Sequence, residues 1–205
     1  WKFSNSLNLD TGAVGLVWQA PPENPTTFNG PQFALTGSVD SMLAKVQATT
    51  ALYTESALSF MLPPDYGKLP VLRNRGAKLM VYHGTADPIF SSDDTVQWYD
   101  TLRRNHGDAA DFARLYLVPG MNHCSGGPAT EQFDMLSPLV AWVEKGQAPD
   151  RVIASARGAG NAGGVNADLP ATWSPTRTRP LCPHPLAAHY NGSGDMESAA
   201  SFSCR

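Results

Sequence analysis

An alternation of strand-like and helix-like segments between residues 78 and 146 constrains the fold of this chain more than any other feature of its sequence. Short apolar runs, which are typical of buried parallel strands, alternate with segments whose apolar residues recur at helical spacing. The alternating segments are residues 78–82, 93–105, 112–118 and 134–145. Strands joined by helices in this order form parallel sheets with right-handed crossovers, so we predict an α/β fold.

Residue types along the two predicted helices support these boundaries. Val96, Tyr99 and Leu102 share one face of the first helix, which predicts that this face packs against the sheet. Gly107 and Gly146 follow the last helical positions of the two segments, where glycine favours termination.

The loops that follow the two predicted strands carry the side chains most suited to chemistry. In parallel sheets, ligands and reacting groups gather at the carboxyl ends of the strands. Asp87 lies in the loop after the first strand and His123 in the loop after the second. A carboxylate beside an imidazole fixes the ring tautomer and stabilises its protonated form, so the ring can act as a general base and acid. We therefore predict Asp87 and His123 as catalytic residues.

A nucleophile for this pair is missing from the sequence. Hydrolases built on a parallel sheet place their residues in the chain order Ser, Asp, His, with the serine in a G-x-S-x-G turn. No such turn occurs in the chain. Ser193 comes after His123 with no strand before it, and Ser125 is too close to His123 in sequence to be its partner. The sequence therefore predicts that the serine lies on polypeptide outside this chain.

Two other functions are compatible with the same residues. Asp87 before Pro88 also suits a simple turn former, in which case the chain is a non-catalytic binding or assembly module. His83, Asp87 and His123 could instead bind a metal ion in a metal-dependent hydrolase. We favour the hydrolase triad over the metal site, with no metal ligands assigned, because a packed His83 explains that residue more simply.

Outside this region the sequence predicts less. Residues 39–54 have helical spacing, residues 151–154 read as a short edge strand or extended segment, and residues 157–180 read as a long loop.

The net charge and the lengths of the apolar runs exclude some partners, and the first residue suggests a larger precursor. The net charge of −3 is unlike the basic face that nucleic-acid binding needs, and no apolar run approaches the ~18 residues of a membrane span. The chain begins with Trp1, so we expect a processed product or an excised fragment.

The cysteines Cys124, Cys182 and Cys204 allow more than one state. An odd number in a loop-rich chain suggests one internal disulfide and one cysteine paired elsewhere, and Cys182 with Cys204 would close the C-terminal segment. Three reduced thiols in a cytosolic protein are the alternative. A disulfide would place the protein in an oxidising compartment, so the predicted localisation is secreted or periplasmic.

Several segments together resemble the tannase and feruloyl esterase family. The segments that carry the resemblance are residues 78–88, 119–124, 140–150, 179–183 and 203–205. The resemblance is good from about residue 70 onward and loose before it. It implies an α/β-hydrolase core with a large inserted lid. We therefore expect residues 1–69 to be the lid tail and its return to the core, and residues 70–205 to be the C-terminal part of the hydrolase domain.

The resemblance also assigns roles to individual residues. It implies that Asp87 is the orienting acid and His123 the general base and acid of a Ser-Asp-His triad that hydrolyses aromatic (feruloyl-, galloyl- or terephthaloyl-like) esters. Cys124 would pair with a cysteine beside the absent serine, and Cys182 would pair with Cys204. The N-terminal portion that carries the serine is then the expected partner. No cofactor is expected in this chain, and any calcium would belong to the absent part of the lid.

Overall fold

The computed structural model describes residues 4–205 and divides the chain into two compact units, Trp1–Tyr66 and Gly67–Arg205. The expected boundary after residue 69 lies close to this division. The assignment of the first unit to a lid stays a prediction, because the division shows compactness and not origin.

The described part of the first unit consists of helices and loops. Its helical segments are Asn5–Leu9, Asp10–Gly12 and Ala13–Trp18, which follow one another directly, then Gly30–Thr36, Val39–Gln47 and Ala57–Met61. The prediction of one helix over residues 39–54 is wrong in its second half. The chain is extended from Ala48, and the Thr50 hydroxyl accepts the backbone N–H groups of Leu52 and Tyr53. These local hydrogen bonds compete with the helical ones.

The second unit contains the predicted strand–helix–strand arrangement. Strand β1 spans Leu79–Gly84, helix α1 spans Ser92–His106 and strand β2 spans Ala113–Val118. β1 and β2 pair in parallel, with Leu79 opposite Ala113 and Gly84 opposite Val118. The parallel α/β prediction is therefore confirmed, and the carboxyl ends of both strands lie at the same edge.

The core of the second unit forms where α1 packs on the two strands. Tyr99 and Leu102 are almost completely buried on the predicted face of α1, against Phe112 and Leu115. Removing a side chain of this size from water contributes about 1.5–3 kcal/mol. A second cluster on Tyr116, Val118 and Leu181 joins β2 to the following sheet. Burial on both sides fixes β2, and with it the loop that carries His123.

The second predicted helix, α2, spans Leu136–Lys145 and begins and ends as its sequence suggests. The Asp134 carboxylate accepts the N–H groups of Leu136 and Ser137, which otherwise lack a helical partner. Gly146 ends the helix with a φ of 67°, in the left-handed region that glycine adopts at low cost.

A three-stranded antiparallel sheet follows, made of β3 (Gln132–Phe133), β4 (Val152–Ser155) and β5 (Thr178–Leu181). Of the two alternatives predicted for residues 151–154, the structure has the strand, but β4 lies in the middle of the sheet, so its predicted edge position is wrong. The partner strand β5 begins within the last positions of the predicted 157–180 loop. Sequence could not reveal this pairing, because β5 is short and separated from β4 by a long irregular segment.

A small C-terminal hairpin completes the second unit. It consists of β6 (Ala188–Tyr190) and β7 (Phe202–Cys204), with a short 3₁₀ helix at Ala199–Ser201. The expected disulfide joins Cys182 to Cys204 across a separation of 22 residues. A loop of this size contributes about 3 kcal/mol in the chain-entropy account of disulfides. Within residues 4–205, no helix is long and apolar enough to cross a membrane.

Candidate active site

The loops after β1 and β2 are joined by backbone hydrogen bonds. The N–H groups of Thr85 and Ala86 donate to the carbonyl groups of Val118 and Met121, both at 3.0 Å. Gly84 allows this approach, since a Cβ atom on it would overlap the backbone oxygen of Met121. A glycine is therefore required where the two loops cross.

These contacts bring Asp87 and His123 together, as predicted. His123 Nδ1 lies 2.9 Å from Asp87 Oδ2, and the Asp87 side chain is 5% exposed. The other carboxylate oxygen, Oδ1, accepts the backbone N–H groups of Ile89 at 2.8 Å and Phe90 at 3.1 Å. The carboxylate is thus held at both oxygens, and Nε2 of His123 is left as the nitrogen that can exchange a proton with a substrate group.

The surroundings of Asp87 keep its carboxyl ionised. Burial raises the pKa of the Asp87 carboxyl, but hydrogen bonds from His123, Ile89 and Phe90 together lower it by a larger amount. The net pKa therefore lies below its usual value. An ionised carboxylate is the form that orients an imidazole and stabilises its positive charge.

A second imidazole, His83 at the end of β1, faces the same carboxylate. His83 Nε2 lies 3.3 Å from Asp87 Oδ2, and His83 Nδ1 lies 2.8 Å from the Thr95 hydroxyl on α1. The prediction that His83 is simply a packed residue missed this contact. Among residues 4–205, no group of three or more His, Cys, Asp or Glu side chains is arranged to hold a metal ion.

The loop of His123 is anchored by carboxylates that sequence reasoning missed. Gly126 and Gly127 have left-handed φ angles of 79° and 77°, and their N–H groups donate to Glu131 and Asp168 at 2.5 and 2.8 Å. Glu131 is buried and also accepts two hydrogen bonds from the Arg157 guanidinium. The consecutive glycines after His123 were the one available signal, since they permit adjacent N–H groups to converge on anions.

Cys124 lies beside the pair, exposed and with its thiol unbonded within the described chain. Its φ of 65° is unusual for a residue other than glycine. The cleft over the pair measures about 150 Å³ and includes Tyr82 and Phe90 among its lining residues. Binding clefts for small molecules usually measure ~300–1,000 Å³, so this cleft is smaller than an ordinary ligand site.

An Asp–His pair on adjacent loops at the carboxyl ends of parallel strands is the arrangement of α/β-hydrolases. The sequence model for tannase and feruloyl esterase matches residues 43–205. The chain therefore belongs to the tannase and feruloyl esterase family.

Individual relatives agree with this family, and a solved structure shares the fold. The chain is 48% identical over 160 residues to mono(2-hydroxyethyl) terephthalate hydrolase of Piscinibacter sakaiensis, covering 78% of this chain and 25% of that protein. It is 34% identical over 141 residues to a probable feruloyl esterase of Arthroderma benhamiae, covering 66% of this chain and 24% of the relative. The structure of an esterase from Aspergillus oryzae matches with a TM-score of 0.62 at 22% identity, covering 88% of this chain and 35% of that chain. The chain thus spans about a quarter of the length of these curated relatives.

Proposed function

We propose that this chain supplies Asp87 and His123 to the Ser-Asp-His triad of a carboxylic ester hydrolase that acts on aromatic esters. The observation that supports this proposal is the 2.9 Å contact between His123 Nδ1 and a carboxylate oxygen of Asp87 that is held ionised. The serine and the oxyanion hole would lie on polypeptide outside this chain, because the chain has no G-x-S-x-G turn.

The mechanism that fits this geometry is acyl transfer in two stages. His123 Nε2 takes the proton of the serine hydroxyl as its oxygen attacks the ester carbonyl carbon, and then gives that proton to the departing alkoxide. The same nitrogen next takes a proton from water, whose oxygen attacks the acyl-enzyme. The proton returns to the serine oxygen as the carboxylic acid leaves. Asp87 stays ionised throughout and stabilises the imidazolium.

The proposed substrate class is an ester of an aromatic acid, such as a terephthaloyl, feruloyl or galloyl ester. The names of the relatives point to terephthalate and ferulate esters. In this chain, the exposed rings of Tyr82 and Phe90 line the cleft over the Asp–His pair, and Phe90 lies 5.4 Å from the His123 ring. Flat apolar walls beside the reacting nitrogen suit an aromatic ring.

Cys124 is proposed to bind covalently to the serine-bearing portion. Its exposed thiol directly after His123 would form a disulfide with a cysteine next to the serine and so hold the triad together. Together with the Cys182–Cys204 bridge, this disulfide fits a secreted or periplasmic protein. No cofactor is proposed for this chain, and any calcium site belongs to the portion outside it.

Intact mass under reducing and non-reducing conditions tests this proposal first. A second polypeptide that reductant releases from Cys124, in material that cleaves feruloyl, galloyl or terephthaloyl esters, is the expected result. The 205-residue chain purified alone should have one free thiol and no esterase activity. Ester hydrolysis by the chain alone would contradict the proposal of an external serine. Failure of the disulfide-linked material to hydrolyse any of these esters would favour a non-catalytic assembly module.

A further inference from the structure

His83 is a mostly buried titratable group, with a fully buried Nε2 atom, that the two-stage mechanism does not use. Its side chain is 14% exposed, and its Nε2 atom has no well-formed hydrogen bond within residues 4–205. The carboxylate oxygen Asp87 Oδ2 lies 3.3 Å from this nitrogen, but outside the direction of a well-formed hydrogen bond. A buried polar nitrogen without a hydrogen-bond partner destabilises the fold, so the position of this nitrogen needs an explanation.

The Asp87 carboxylate decides which nitrogen of His83 carries the proton, because it only accepts, whereas the Thr95 hydroxyl can donate or accept. A neutral imidazole has one donor and one acceptor nitrogen. If the proton were on Nδ1, the lone pair of Nε2 would face the lone pairs of an ionised carboxylate. With the proton on Nε2, that nitrogen donates toward Asp87, and Nδ1 accepts from the Thr95 hydroxyl at 2.8 Å.

The two oxygens of Asp87 then have distinct neighbours. Oδ1 receives two backbone N–H groups from its own loop. Oδ2 faces two imidazoles, His123 at 2.9 Å and His83 at 3.3 Å. Oδ2 is the oxygen on which the orientation of His123 depends. A second donor there, fixed to strand β1 and helix α1, stops the carboxylate from rotating away.

We propose that His83 is a positioning residue of the triad: a neutral imidazole, protonated on Nε2 and oriented by Thr95, that holds Asp87 Oδ2 against His123. This inference rests on the proposed function, because it assigns His83 to the same triad. The 3.3 Å contact is expected to shorten when the serine and substrate complete the site, as catalytic hydrogen bonds often do.

Nitrogen NMR of the assembled esterase with ¹⁵N-labelled histidine tests the tautomer without any substitution. The expected spectrum shows His83 protonated on Nε2 and unprotonated on Nδ1 at neutral pH. A proton on Nδ1, alone or together with one on Nε2, would overturn the proposal.

Kinetics of Thr95→Val and Thr95→Ser in the assembled esterase test the consequence. Valine has the shape of threonine without the hydroxyl, so Thr95→Val should lower kcat about tenfold, the effect of one lost hydrogen bond, while KM stays the same. Thr95→Ser keeps the hydroxyl and should restore kcat. A Thr95→Val enzyme with unchanged kcat would overturn the proposal, and so would a Thr95→Ser enzyme as slow as the valine variant.

Asp87→Asn separates this inference from the proposed function. If Asp87→Asn keeps its turnover, the triad itself is wrong. If Asp87→Asn loses turnover and Thr95→Val does not, only the role of His83 is wrong. The melting temperatures of both Thr95 variants show whether a loss of kcat comes from unfolding.

Discussion

The loops that carry Asp87 and His123 are held in place by different means. Asp87 is fixed from within its own loop, by the N–H groups of Ile89 and Phe90. The loop of His123 depends instead on carboxylates beyond it, and Asp168 lies 41 residues away from the glycine that it binds. The acid of the pair is therefore set by a local turn. The position of the base depends on the long segment after β4.

This difference matters because a triad works only when both side chains lie within a few tenths of an ångström of their productive positions. A local turn forms its hydrogen bonds whenever the chain takes the right φ and ψ angles. A loop held by carboxylates outside it, one of them 41 residues away, keeps its shape only while the surrounding structure is intact. The two loops also share backbone hydrogen bonds, so the predictions below test whether they respond differently to substitution.

The largest expected effect comes from Asp87→Asn in the assembled esterase. The amide favours the wrong tautomer of His123 and cannot stabilise its positive charge, so kcat should fall about 10⁴-fold. Steady-state hydrolysis of an aromatic ester measures this change. Asp150→Asn is the matched control, because the Asp150 side chain is 95% exposed, and this variant should keep its turnover. Near-normal turnover in Asp87→Asn would remove Asp87 from the triad.

Glu131→Ala should destabilise the protein and loosen the loop of His123 only. It leaves the Arg157 guanidinium without its carboxylate, and we expect a loss of about 3 kcal/mol in the free energy of unfolding, at the low end for buried pairs because Arg157 is partly exposed. Urea unfolding measures the loss, and Glu131→Gln, which keeps an acceptor oxygen, should lose less.

Amide hydrogen exchange of Glu131→Ala tests the comparison directly. Exchange at Gly126 and Gly127 should become faster, while the Ile89 and Phe90 amides should keep their rates relative to global unfolding. Equal acceleration in both loops would show that the two loops are one cooperative unit.

Asp168→Ala should have a smaller effect at the same loop. It removes the acceptor of the Gly127 N–H group, and we expect a loss of about 1 kcal/mol in the free energy of unfolding. Asp168→Asn can still accept this hydrogen bond and should lie close to the unsubstituted protein. If the alanine and asparagine variants have the same stability, the contact with Gly127 does not anchor the loop.

The pH dependence of stability should show the smallest effect, at the Asp87 loop. The pKa of Asp87 lies below its unfolded value of 3.8, so the folded protein binds fewer protons than the unfolded chain in this range. The stabilisation is complete above the unfolded pKa and is lost as the pH falls through the folded pKa. The unsubstituted protein and Asp87→Asn should therefore converge in stability as the pH falls through the folded pKa of Asp87. A constant difference at all pH values would contradict the lowered pKa.

Sequence reasoning succeeded where the signal was local. The two parallel strands and the two helices between residues 79 and 145 follow from hydrophobic spacing and terminal glycines, and the structure has each of them within two residues of its predicted bounds. The meeting of Asp87 and His123 followed from the rule that parallel strands gather their loops at one edge. Their catalytic role stays a prediction.

Sequence reasoning failed where a strand's partner was distant in sequence, and where side-chain hydrogen bonds ended a helix that the spacing of apolar residues would have continued. The helix over residues 39–54 ended early because the Thr50 hydroxyl formed turn hydrogen bonds, which spacing of apolar residues does not reveal. The central place of β4 depended on β5, whose four residues carry too little pattern to be recognised as a strand.

The sequence by itself determined the parallel strand–helix–strand unit, the family, and the pair of loops on which the chemistry is proposed. These features depend on the spacing of apolar residues and on short motifs, both of which are visible in the sequence without a structure. Only the tertiary structure placed His83 against Asp87, and Glu131 and Asp168 against the loop of His123. The physical reason is that hydrogen bonds and ion pairs depend on direction and on distances of a few ångströms, which only the folded chain sets. This holds for His83 and Asp87, four residues apart, as much as for Gly127 and Asp168, 41 residues apart.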